Sequence, residues 1–485
     1  MEEEPSTVAT GVEGLDFVLQ GGIPARRPTL VRGGPGTGKT VLATTFLTSV
    51  LQSGHGAVLA TCDESPDSLK LHARSLGLDL DSGLADGRLR IVDLRPDHSE
   101  DHSGGDLDLS VILARLEHAL QVTGAQHMMV DAVDALQALD FGGVSAVSLR
   151  SQLVRVFDWI RERGVTTILT AGCGNSQSNR SEGMDVYIED YIADCVIHLE
   201  QALSNRRMTR LLRVVKRRGH PHDSNAFPYL IDEQGFYAAP VTRWRLGREP
   251  SSEHISTGIS GLDAMLGGSG PYLGSALMFS GPSGTGKTTF AAAFAGAACA
   301  AGRRVLVLSF EEGAAELLRN QRSVGLDLEP FTQGDQPLLQ MQPVMASELG
   351  QEEHLLRVVR TVEAHGPDVV ILDPVNALLR NTAMDEGPEM LLRLFSLLKE
   401  KGVTTVATEL LTDDHESSSR LNVSSMLDVW VKLRRDEVAN RLYRRITLAK
   451  ARGLPTSDRV CEFELSADGV TIDNSGGVQT KMGGD

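Results

Sequence analysis

Gly33-Gly34-Pro35-Gly36-Thr37-Gly38-Lys39-Thr40 and Gly281-Pro282-Ser283-Gly284-Thr285-Gly286-Lys287-Thr288 decide the reading of this 485-residue chain. Both fit G-x-x-x-x-G-K-[ST], a loop whose glycines let backbone N–H groups turn inward around an anion. Each follows a short apolar run and precedes a helical pattern, Val41 to Val50 in one case and Thr289 to Ala300 in the other. The positive end of the helix therefore adds to the loop. The expected phosphate-binding residues are Gly34, Gly36, Thr37, Gly38, Lys39 and Thr40 in the first loop, and Ser283, Gly284, Thr285, Gly286, Lys287 and Thr288 in the second. In such loops the lysine reaches the β and γ phosphates of ATP and the threonine hydroxyl ligates Mg²⁺.

Outward from the loops, the chain repeats itself. Thr10-Gly11-Val12-Glu13-Gly14-Leu15-Asp16 returns as Thr257-Gly258-Ile259-Ser260-Gly261-Leu262-Asp263, Ala73 to Leu80 as Gln321 to Leu328, and Gly164-Val165-Thr166-Thr167 as Gly402-Val403-Thr404-Thr405. Preserved order with small drifts in spacing means one fold duplicated in tandem. The halves are expected at 1–245 and 246–485, joined by a linker within Pro240 to His254 where sustained apolar periodicity stops. Within each half, short β-branched runs alternate with helical stretches. The runs are Thr29–Arg32, Ala57–Thr61, His127–Asp131 and Thr166–Thr170, then Ala276–Ser280, Arg304–Phe310, Val369–Asp373 and Thr404–Thr408. That alternation predicts an α/β fold, a mostly parallel sheet flanked by helices.

Two kinds of carboxylate accompany the loops. Asp131 and Asp373 end apolar strands, where a Walker B aspartate completes the shell of the metal. Asp63-Glu64 and Glu311-Glu312 follow another strand, where a carboxylate can deprotonate a water or a hydroxyl. The alternative for the first pair is helix capping at Ser65-Pro66-Asp67.

Composition narrows the function classes. A net charge of −17 opposes nonspecific binding to nucleic acid, whose affinity comes from clustered Lys and Arg. No apolar run approaches ~18 residues and the N-terminus is acidic, so no membrane span is expected and the cytoplasm is the default. The five cysteines lack metal or redox spacing and are read as buried small hydrophobes. The stretch 97–102, with His98 and His102, is read as a solvated insertion and residues 474–485 as a disordered tail.

The paired loops, the acidic pairs and the duplicated T-G-x-x-G-L-D entry together resemble the KaiC family of tandem RecA-like ATPases and autokinases, across nearly the whole chain. The resemblance implies a homohexameric double ring with ATP between subunits. It further implies that Lys216 and Arg218, and Lys450 and Arg452, act on a neighbour's nucleotide, and that the C-terminal half phosphorylates itself. The acceptor pair of the family matches Ser424-Ser425, with serine in place of threonine at the second position. Alignment of the halves through Asp194 and Asp428 sets Asp190-Tyr191 opposite these serines. Signalling or response-regulator proteins would be the partners. The cyanobacterial clock members carry a longer C-terminal extension gripped by an activating partner, and that mode of regulation is not expected here.

Two other classes share part of this pattern. A RecA-type DNA-dependent ATPase or recombinase has the same nucleotide chemistry, but the acidic balance and the lack of a basic, aromatic-interleaved segment oppose it. A nucleotide-gated scaffold with little turnover is opposed by two complete sets of loop and Walker B residues.

Overall fold

The computed structural model describes residues 6–95, 109–134, 146–173, 188–204, 207–239, 249–344, 351–379, 386–411, 424–438, 441–455, 457 and 459–474. The insertion at 97–102, the linker over 240–248 and the tail beyond Asn474 lie outside them. The chain divides into two compact units, Met1–Pro240 and Val241–Asp485.

In the first unit β1 (Thr7–Val8) pairs with β2 (Ile23–Pro24), beside a large sheet. The strands of that sheet are β3 (Pro28–Gly33), β4 (Ala57–Thr61), β5 (Leu89–Asp93), β6 (His127–Asp131), β7 (Thr166–Gly172), β8 (Cys195–Ser204), β9 (Arg207–Arg217), β10 (Ala226–Asp232) and β11 (Gly235–Ala238). Their order is β11-β10-β9-β8-β3-β7-β6-β4-β5. From β8 to β5 all pairings are parallel, and β9 to β11 extend the sheet antiparallel.

The second unit repeats this layout with β12 (Ala276–Gly281), β13 (Val305–Ser309), β14 (Leu339–Pro343), β15 (Val369–Asp373), β16 (Thr404–Leu410), β17 (Val429–Val438), β18 (Arg441–Ala451), β19 (Cys461–Ser466) and β20 (Gly469–Asp473). The order β14-β13-β15-β16-β12-β17-β18-β19-β20 is the first sheet read from its other edge. The α/β expectation holds in both units.

The central strands are apolar throughout because both faces are covered. Leu30, Val58 and Ala60 pack into one core, while Val31, Ala57 and Leu59 face the core on the other side. Full burial of a Val or Leu side chain here contributes roughly 1.5–3 kcal/mol. The helices Lys39–Gln52 and Lys287–Ala300 are buried along most of their length and lie against their sheets. They start at the two glycine-rich loops, so the most buried helix of each unit holds the loop in place.

The antiparallel extension was not apparent in the sequence, because β9 and β18 are rich in arginine and half-exposed. Each carries a bulge at the same place. Register shifts between Val196 and Ile197 in the β8–β9 pair, and between Trp430 and Val431 in the β17–β18 pair. A bulge re-aims the next side chain, and the residues turned this way are Lys216 and Lys450.

Candidate nucleotide site

Gly38 and Gly286 start the two helices in left-handed conformation, with φ of 90° and 100°. A Cβ at Gly38 would stand 2.1 Å from Cδ1 of Ile231, and one at Gly286 would stand 2.8 Å from Cδ1 of Leu465. Glycine is therefore required by backbone angle, and a Cβ at either position would also have to displace a side-chain tip.

Inside the first loop the Thr37 hydroxyl donates to the Gly34 carbonyl at 2.9 Å, and Lys39 Nζ donates to the carbonyls of Gly33 at 2.9 Å and Gly34 at 3.1 Å. In the second, Thr285 and Lys287 both donate to the Pro282 carbonyl, at 2.9 and 2.7 Å. Burial pulls the Lys287 ammonium below its usual range, against the nearby charges of Asp373 and Glu311. Gly36, Ser283 and Gly284 line the loop tips and are mostly exposed.

Asp131 and Asp373 stand across from their loops. Asp131 Oδ2 accepts from the Thr40 hydroxyl at 2.9 Å, and Oδ1 accepts from Thr170 on β7. Asp373 accepts from Thr288 and from Thr408 on β16. Burial raises both carboxyls, more than these hydroxyls lower them. Asp63 and Glu64 raise Asp131 further, and Glu311 does the same for Asp373. A buried carboxylate beside a hydroxyl and further acids is a set of hard oxygen donors that suits Mg²⁺. Thr170 and Thr408 escaped the sequence reading. They occupy the same place in the repeated Gly164–Gly172 and Gly402–Leu410 stretches, which was the available signal.

The acidic pairs are pinned alike. Thr61 donates to the Glu64 carbonyl at 2.6 Å and Ser309 to the Glu312 carbonyl at 2.7 Å. The helix cap is Ser65, which accepts from Ser68 N, so the pair precedes the cap and does not serve as it. Glu64 accepts from Ser68 and meets His72 Nδ1 at 3.1 Å. Glu312 accepts from Asn320 at 3.4 Å, and burial raises its carboxyl. Asp63 and Glu311, the first members, are exposed.

Lys216 Nζ donates to the carbonyls of Asp190 and Tyr191, both at 2.9 Å, and Arg218 donates to the Tyr191 carbonyl at 2.7 Å. Lys450 Nζ donates to the Ser424 carbonyl, and Arg452 is exposed. Burial, then the neighbouring arginine, lowers both lysines. The pairing of Lys216 with Asp190 and of Lys450 with Ser424 places these two positions in register, as the alignment through Asp194 and Asp428 requires. The Asp194 and Asp428 carbonyls accept from the Arg218 and Arg452 amides, each at 2.8 Å. Ser424 and Ser425 are exposed in a turn.

Asp190 itself is buried. Its Oδ1 meets Arg32 Nε at 3.1 Å and its Oδ2 lies 3.7 Å from His198 Nε2. Burial opposes the charge, but His198 and Arg32 outweigh it and hold the carboxyl below its usual range. Four cysteines are buried as expected, but Cys173 is exposed. It lies just past the end of β7, where the chain leaves the sheet.

The family model described as ATPase: KaiC matches residues 8–241 and 255–477. The chain belongs to the KaiC ATPase family. It is 34% identical over 468 residues to the circadian clock protein KaiC2 of Synechocystis sp., covering 96% of this chain and 80% of that protein. Similarity at 30% identity extends over 97% of the chain and 89% of the circadian clock oscillator protein KaiC of Acaryochloris marina. The corresponding protein of Synechococcus elongatus is 29% identical over 96% of the chain and 89% of its own length. The KaiC family accounts for the two RecA-like sheets and makes this an ATP-binding protein of the ATPase class. Among the described residues no helix is long and apolar enough to cross a membrane.

Proposed function

We propose that the protein binds ATP with Mg²⁺ at both loops, hydrolyses it, and in its second half transfers the γ-phosphoryl group to Ser424 or Ser425, working as a cytoplasmic homohexamer. The observation that carries this reading is the pair of matched contacts, Lys216 to the Asp190 carbonyl and Lys450 to the Ser424 carbonyl. It sets an exposed hydroxyl in the second half where the first half holds a buried acid.

Thr40 with Asp131, and Thr288 with Asp373, would hold Mg²⁺, which neutralises phosphate charge when bound. Lys39 and Lys287, with the loop N–H groups, bind the polyphosphate. Glu311 takes the proton from the serine Oγ, with Glu312 as its alternate. The freed Oγ forms its bond to the γ-phosphorus as the bond to the bridging oxygen of ADP breaks. In the first half Asp63 and Glu64 orient water instead, and Asp190 offers no hydroxyl to phosphorylate.

Lys216 and Arg218, and Lys450 and Arg452, would act on the nucleotide of a neighbouring subunit. Arg218 must then exchange its contact with the Tyr191 carbonyl for phosphate, an exchange favoured by the charge of the new partner. Signalling partners would read the state of the second half.

The test is incubation with Mg²⁺ and γ-labelled ATP, followed by phosphosite mapping and native mass measurement. Label confined to Ser424 and Ser425 on a hexamer is expected. A monomer at saturating ATP would remove action in trans, and label elsewhere would misplace the acceptor.

A further inference from the structure

The tips of the two loops are held by different chemistry. Gln201 on β8 donates through Nε2 to the Gly36 carbonyl at 2.8 Å. At the matching place on β17, Arg435 donates through Nη2 to the Gly284 carbonyl. Strand position and loop carbonyl correspond in the two units, yet one anchor is a neutral amide and the other a guanidinium.

A guanidinium exceeds what an anchor requires. The opposite residue on β18 is Arg444, another cation, and such a like-charged cross-strand pair is unfavourable. Among the described residues no carboxylate lies within ion-pair distance of Arg435, although neighbouring Arg434 and Arg445 share Asp436. Arg435 also adds positive charge beside Lys287, on the rim of a loop shaped to hold an anion. A guanidinium presents five donors in a fixed fork, so one can hold Gly284 while others face a phosphate.

We infer that Arg435 is a phosphate-binding residue of the second site, contacting the polyphosphate of a nucleoside di- or triphosphate, and that it makes binding at this site more dependent on charge than binding at the first. The inference rests on the reading of both loops as nucleotide sites.

The experiment uses the full chain carrying Lys39→Ala to silence the first loop, titrated with a fluorescent ADP analogue over a range of salt concentrations. Arg435→Gln installs the residue that the first unit uses and keeps a donor for Gly284. It should weaken binding about tenfold or more, as loss of a charged hydrogen bond does, and should flatten the salt dependence. Arg435→Lys should keep most of that dependence. In the reciprocal arm, with Lys287→Ala silencing the second loop, Gln201→Arg should tighten binding at the first and steepen its response to salt. Parental affinity and salt response in Arg435→Gln would make Arg435 a strut only, and equal loss in the Gln and Lys variants would overturn the role of charge. If Lys39→Ala alone binds no analogue while the protein stays folded, the nucleotide reading of the second loop fails, and this inference with it.

Discussion

The two halves share strand order, loop and bulge, yet differ beside the P-loop strand. In the first, Arg32 on β3 is buried and fixes Asp190, with His198 alongside. In the second, Ser280 takes the place of Arg32 and accepts from Trp430 Nε1 at 2.7 Å, while Lys432, across from Ser280, lies over the Trp430 ring. Duplication kept the scaffold but replaced the Arg32–Asp190 ion pair with a Ser280–Trp430 hydrogen bond, beside which Lys432 feels the charge of the buried Glu409.

The largest expected effect strikes the ion pair itself. Arg32→Met leaves the Asp190 carboxylate buried without its closer charged partner and should destabilise the first half by about 3–5 kcal/mol. Ser280→Ala, which frees one indole N–H, should cost the second half only about 1–3 kcal/mol. Hydrogen exchange resolved by half checks both values, and equal losses would erase the contrast.

Next in size, Glu311→Gln should cut serine labelling ~10²-fold or more, with hydrolysis in the first half continuing. The double variant Ser424→Ala with Ser425→Ala should abolish labelling and spare hydrolysis. Phosphopeptide mapping beside phosphate release separates the two, and label surviving in the double variant would break the assignment of acceptor to the second half.

A smaller effect concerns the loop support. Tyr229 Oη donates to the Thr37 carbonyl at 2.5 Å, while Phe463 stands at the matching register position on β19 and has no hydroxyl. Tyr229→Phe should cost about 1 kcal/mol in the first half. Thermal melting reads this directly, and no change would mean the two loops are supported alike.

The last expectation concerns pH and is the same for both halves. The raised carboxyls of Asp131 and Asp373 bind a proton more readily folded than unfolded. Metal-free protein therefore gains stability as pH falls through their raised values and loses it as pH rises. Mg²⁺ needs the ionised form, so its contribution to nucleotide binding should fade on acidification sooner than for an ordinary aspartate. Asp131→Asn should raise the melting temperature at neutral pH in the absence of Mg²⁺, and an unchanged melting temperature would contradict a cost of burial.

The parallel core was legible because buried strands must be continuously apolar, and the Ala57–Thr61, His127–Asp131 and Val369–Asp373 runs match the observed strands to the residue. The loops and aspartates carry short-range patterns that sequence displays directly. The arginine-rich antiparallel strands do not, since a half-exposed strand shows no apolar run. Arg32 and Asp190 lie 158 residues apart, and nothing local announces that two opposite charges will be buried together. Cys173 was misjudged for a similar reason, because it lies past the strand that hides its neighbours.

Ile231 crowds Gly38 from a strand made long after the loop. During synthesis, residues 33–40 leave the ribosome before the surface that shapes them exists, and at typical elongation rates the wait is about 10 to 40 s. Throughout that interval the first loop lacks its floor. Each half is thus an all-or-nothing unit in manufacture, its earliest motif completed by nearly its last strand.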